Sequence, residues 1–181
     1  FDKAKIAMDF FNNQEFEKAL ALFYEILSTD FNNSYNYYNI GLVWECLNEL
    51  ELAVAYYKKS IRIDNKNVRS VNNLARIYIE YIKDYEMAET YLNHAINIAP
   101  NDAEAYNHYG NLSALKKDPD LSINYFNKSI FLDKNYFKNY YDLALVYYQK
   151  GDIENTKNNL KKCLELNKNF KQGEELLAKL N

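Results

Sequence analysis

The chain has 181 residues, 48% of them apolar, and a formal net charge of −3 with both signs interspersed. So large an apolar share excludes an intrinsically disordered chain, and the near-neutral balance lacks the basic face that nucleic acid requires. Only 4 Gly and 2 Pro occur, which favours long helices over a turn-rich β protein. No stretch approaches the roughly 20 apolar residues that span a bilayer, so no direct membrane insertion is expected.

Cys46 and Cys163 fit neither a metal spacing nor a CxxC motif, so a reduced compartment, the cytoplasm, is expected. The first residue is Phe1 in place of Met, which reads as a piece of a longer protein. Lys outnumbers Arg 19 to 3, and Asn and Tyr are abundant. The Asn residues are spread between apolar anchors and form no tract, so codon usage accounts for them better than a prion-like segment does.

Regular ladders run through the chain. Ala7, Gly41, Ala75, Gly110, Ala144 and Ala178 are separated by 34, 34, 35, 34 and 34 residues. Ala19, Ala53, Ala88, Ser122 and Thr156 follow at 34, 35, 34 and 34, as do Ile26, Ser60, Ala95, Ser129 and Cys163. One extra residue between 76 and 88 explains every irregularity, and the turn near Lys83-Asp84 is its expected place.

The ladders predict a single array over 1–181, with repeats at 1–33, 34–67, 68–102, 103–136 and 137–170. In the second repeat Tyr37, Ile40, Gly41 and Trp44 fall on one helical stripe. Leu47 to Leu50 make a short turn, and Ala53, Tyr57, Ser60, Ile61 and Ile63 give a second helix. In the third, Pro100 ends the second helix. The fourth carries AYNHYG at 105–110, where Tyr106 and Tyr109 pack and Gly110 is a contact point; its second helix starts at Asp118-Pro119, cap then first turn. In the fifth, Gly151 ends one helix and Asp152 caps the next. Residues 171–181 form one more helix, a cap or the start of a truncated sixth repeat, with Ala178 in register and Leu176, Leu177 and Leu180 on an apolar side. The small residues have a common reason: paired helices approach to about 8 Å only where a side chain is short.

This pattern resembles the tetratricopeptide repeat family, whose 34-residue unit reads W-x2-L-G-x2-Y, then A-x3-F, then P. Tyr37-x2-Ile40-Gly41-x2-Trp44 with Ala53-x3-Tyr57 matches well. Val71-x2-Leu74-Ala75-x2-Tyr78, Ala88-x3-Leu92 and Pro100 match in the third repeat, and Tyr140-x2-Leu143-Ala144-x2-Tyr147 in the fifth. Ser113 and Ser122 depart from the pattern in the fourth. The resemblance implies an all-α fold, a right-handed superhelical α-solenoid of antiparallel helix pairs, with the first helix of each pair lining a concave groove.

By that resemblance the groove carries Tyr35, Tyr38, Asn39, Arg69, Asn72, Asn73, Arg76, Asn107, His108, Asn111, Lys138, Tyr141 and Tyr148. Asn amides both donate and accept, and so can grip a peptide backbone of any sequence; Tyr offers contact area at little entropic cost. Arg69, Asn72 and Arg76 share one helix face that could hold a carboxylate, although Arg76 also stands one turn before Glu80. The family's two-carboxylate clamp for chaperone C-terminal tails is not matched: Ala4 and Met8 stand at its first positions, and only Asn39 and, by charge, Arg69 fit. An Asn ladder for extended chains is matched by Asn39 and Asn73 and broken by His108 and Asp142.

No catalytic constellation, cofactor motif or metal set accompanies these residues. Cys163 occupies a small core position, and Cys46 stands near the groove without an evident base. The expected function is a non-catalytic scaffold that binds a peptide or protein segment. Two alternatives stand beside it: self-association through the terminal repeats into a homo-oligomer, and a substrate-recruiting part of a larger enzyme.

Overall fold

The computed structural model describes residues 2–180; among them are eleven α-helices, one of which runs on into a π-helical segment, and no strand. The chain divides into two compact units that meet in sequence between Asp84 and Tyr85. The first unit holds α1 (Lys3–Asn12), α2 (Phe16–Thr29), α3 (Ser34–Cys46), α4 (Leu50–Ile63) and α5 (Val68–Ile77), which continues as a π-helix over Tyr78–Ile82. The second holds α6 (Tyr85–Ile98), α7 (Ala103–Leu115), α8 (Pro119–Leu132), α9 (Phe137–Gln149), α10 (Ile153–Leu166) and α11 (Lys171–Lys179). No helix among the described residues is long and apolar enough to cross a membrane.

Caps set the helix starts. The side chains of Asp2, Asn33, Asn67, Asp102, Asp118 and Asp152 each accept from a first-turn N–H that has no partner inside the helix. Asp118 with Pro119, and Gly151 with Asp152, act as their order in the sequence predicts: Asp118 accepts from the Leu121 N–H at 3.0 Å and Asp152 from the Asn155 N–H at 3.0 Å.

Packing within helix pairs follows the small-residue ladders. In the first unit Ala7, Ala19, Leu20, Phe23, Ile40 and Val43 form one buried cluster on which Trp44 also packs. The Trp44 indole N–H donates to the Tyr24 hydroxyl at 3.1 Å, tying α3 to α2. A Cβ placed on Gly41 would lie 2.7 Å from the Tyr57 ring of α4, and one on Gly110 would lie 2.6 Å from the Phe126 ring of α8. Each glycine is the slot into which the partner helix lays an aromatic ring.

The ladder serines do more than save space. The buried Ser60 hydroxyl donates to the Ser34 carbonyl at 2.8 Å, and the Ser129 hydroxyl does the same to the Ala103 carbonyl at 2.6 Å. Ser122 donates to the Gly110 carbonyl at 2.8 Å. The leading tyrosine of three repeats is also tied down. Tyr37, Tyr106 and Tyr140 each donate to a carbonyl six residues upstream, on Phe31, Pro100 and Lys134, at 3.1, 3.2 and 3.1 Å.

A further ladder is conformational. Gln14, Asn48, Lys83, Lys117 and Gly151 all hold positive φ, between 60° and 76°, in the turns between paired helices. Asn48 and Lys83 are 35 apart and the other steps are 34. The extra residue therefore enters before Lys83, which corrects the expectation that it sits in the turn itself. It is taken up inside the helix, over Tyr78–Ile82, where the π geometry winds one more residue into each hydrogen-bonded ring.

Candidate functional site

The first-helix faces are built separately in the two units. In the first, Tyr35 opens α3 and is 56% exposed, while Tyr38 packs its ring on Tyr57 at 6.0 Å. Asn39 is half-buried within α3, and its side chain enters none of the hydrogen bonds found among the described residues. Arg69 is exposed, with no ion pair among the described residues.

Asn73 and Arg76 are already engaged. The Asn73 amide donates to the Tyr57 hydroxyl at 3.1 Å, and that hydroxyl donates to Glu45 at 2.9 Å. Arg76 pairs with Glu45 and, at 3.1 Å, with Glu80. Burial, then the carboxylate of Glu45, pushes the Tyr57 phenol well above its ordinary range. Asn72 is 1% exposed. Of the three side chains expected to hold a carboxylate, Arg76 is paired with two carboxylates of the chain itself, Asn72 is buried, and Arg69 is exposed. Cys46 is exposed, yet burial of its thiol and the nearby Glu45 raise its pKa, which disfavours the nucleophilic thiolate. Burial likewise pushes the Cys163 thiol up to about 11.

In the second unit the face of α7 and α9 carries a connected polar network. The Asn107 amide donates to the Asn139 side-chain Oδ1 at 2.8 Å and to an Asp142 carboxylate oxygen at 3.0 Å. Its own oxygen accepts from Asn111 at 3.2 Å. Asn139 is fully buried and anchors the network by donating to Ser129 at 2.7 Å. Asn107 and His108 are only 5% and 6% exposed. His108 Nε2 makes no hydrogen bond and lies 3.7 Å from the Glu104 carboxylate.

Tyr141 takes the edge of Phe170 at 4.9 Å, Lys138 is exposed, and Tyr148 is 45% exposed. Asp142 stands outside the groove residues that the sequence singled out. The signal for it was its place as a break in the Asn39 and Asn73 ladder. Burial raises its pKa most strongly, and the Asn107 hydrogen bond with the nearby Lys138 and His108 only partly offsets this. Among the described residues no group of three or more His, Cys, Asp and Glu is placed to hold a metal ion.

Antiparallel helix pairs repeated at 34 residues, with a glycine or alanine slot in the first helix of each, define a class: the helical-repeat proteins of α-solenoid type. The tetratricopeptide repeat profile matches residues 48–112, and a second profile of the same description matches 103–136 and 137–170. The chain belongs to the tetratricopeptide repeat family. A TPR repeat-containing protein of Methanocaldococcus jannaschii is 26% identical over 84% of this chain and 21% of its own length. A human protein O-mannosyl-transferase is 23% identical over 90% of this chain and 23% of its own. The chain thus spans between a fifth and a quarter of these curated relatives. Among solved structures, a TPR protein of Thermus thermophilus is 16% identical with a TM-score of 0.83, over 99% of this chain and 97% of that one; this likeness speaks for the fold alone.

Proposed function

We propose that this member of a family of protein-interaction scaffolds binds an extended peptide or protein segment on the first-helix faces of its repeats, and that its role is non-catalytic. The observation that carries this reading is the set of side chains left without internal work there: the Asn39 amide, the Arg69 guanidinium and the exposed rings of Tyr35 and Tyr148. A tyrosine ring covers apolar peptide surface while its hydroxyl stays wet, and an amide offers a donor and an acceptor to a backbone. Within the second unit the α7–α9 face rests on the hydrogen bond between buried Asn107 and Asn139, so that face meets a ligand with little reordering.

The test is a selection of a random displayed peptide library on the 181-residue chain. Binding of the enriched peptides is then compared between wild type and a Tyr35→Ala/Asn39→Ala/Tyr148→Ala variant of equal helical content. A loss of tenfold or more is expected. Equal binding by both proteins would move the site off the first-helix faces of both units. The O-mannosyl-transferase relative favours one further reading, in which the chain recruits substrate for an enzyme domain elsewhere in a longer protein. A full reading frame that encodes no such domain removes it.

A further inference from the structure

We propose that Asp142, on the α7–α9 face, receives the cationic head of a lysine or arginine side chain from the bound peptide; this rests on the peptide-binding reading above and names its chemistry. The carboxylate accepts from the Asn107 amide at 3.0 Å, and Asn107 is itself hydrogen-bonded to Asn139 at 2.8 Å and to Asn111 at 3.2 Å. No lysine or arginine nitrogen of the described residues lies within 4.0 Å of it. A mostly buried carboxylate without a cation is costly to keep, and an incoming cation recovers that cost.

His108 supplies the independent sign of a missing partner. It is 6% exposed, and its Nε2 makes no hydrogen bond beside this carboxylate. A peptide backbone carbonyl or side-chain oxygen delivered with the basic group would satisfy it when Nε2 carries the proton.

The surrounding charge has the matching sign. Asp142 feels Lys138 and His108 as favourable charges and lies near the Cys163 thiol of α10, Glu104 faces His108 from α7, and Glu175 of α11 lies near Tyr141. Two further carboxylates thus stand by the neighbours of Asp142, Glu104 by His108 and Glu175 by Tyr141, against one lysine, which is exposed.

The experiment uses the peptides enriched from the random library on the 181-residue chain. Enrichment in Lys or Arg at one fixed position is expected, with at least tenfold weaker binding when that residue is changed to Gln. Against Asp142→Asn, the basic peptide and its Gln counterpart should bind within twofold of each other, so the loss is not compounded. The Gln peptide tests the wild-type protein directly, whatever the variant does to folding. If peptides are enriched with no basic preference and bind Asp142→Asn as tightly as wild type, the assignment to Asp142 is overturned while the peptide-binding reading stands. If no peptide is enriched, both are overturned.

Discussion

Gly41 and Gly110 face aromatic rings at a distance no side chain tolerates, since an added methyl would lie 2.7 Å from Tyr57 and 2.6 Å from Phe126. Each Gly→Ala change is expected to cost about 1–3 kcal/mol through overpacking, read as a lower urea midpoint. Gly151 differs: nothing lies within 4 Å of its missing Cβ, but its φ is +76°, so Ala there costs about 1 kcal/mol through backbone strain alone. A Phe126→Leu change should rescue Gly110→Ala and leave Gly151→Ala untouched.

Asp142 gives a prediction of opposite sign. Burial raises its pKa in the folded chain, so between the ordinary carboxylate value and the raised one the folded state holds more protons. Stability contributed at this site therefore falls as pH rises through that window, and the loss is complete above the folded value. Asp142→Asn is expected to raise Tm at neutral pH and to give no gain below about pH 4, where a free Asp is itself protonated. A scan of Tm against pH for both proteins checks this.

At the scale of elements, the π-helical segment Tyr78–Ile82 marks where the repeat length is broken. Ile82 is half exposed and sits at the end of the segment. Its deletion returns the third repeat to the common spacing, and is expected to leave helical content and the urea midpoint nearly unchanged. Deleting Leu115, which ends α7 in a repeat with no surplus residue, should lower the midpoint markedly. The ladders alone narrowed the insertion to 76–88. They could not separate helix from turn, because a π turn needs no Gly or Pro to announce it.

The same limit applies to other elements. The glycine slots were legible because smallness itself is the signal. The serine rungs were legible as small but not as donors, since Ala95 and Cys163 fill equivalent places without the same hydroxyl. The Tyr37, Tyr106 and Tyr140 hydroxyl ties were hidden because the family pattern reads that place as an aromatic ring. The Arg76–Glu45 pair joins residues 31 apart on different helices, which no single-helix spacing can show; only its i+4 partner, Glu80, was visible.

For the whole molecule, the repeat rhythm and the two compact units do not share boundaries. The units meet between Asp84 and Tyr85, inside the third repeat, so α5 and α6 belong to different units although one repeat contains both. Repeat proteins derive stability from each repeat and from its contacts with neighbours, so cooperativity can break where the chain divides. The one irregularity of the sequence rhythm, the extra residue within 76–88, brackets that division, but a changed spacing does not by itself show that the chain divides there. The family assignment and the all-α fold were legible from the ladders. The polar network at Asp142 was not, because it depends on how Asn107, Asn139 and Asn111 meet in space.

Trp44 is the one tryptophan of the chain, and it lies in the first unit, hydrogen-bonded to Tyr24. Its fluorescence, excited directly or by transfer from nearby tyrosines, therefore watches that unit alone, while far-UV circular dichroism averages over every helix. Recorded on one sample through one urea titration, the two signals are expected to part, with the emission change narrower than the loss of ellipticity. Coincident curves would mean that both units melt as one. A single indole thus gives this repeat array a built-in optical gauge of how far its cooperativity reaches.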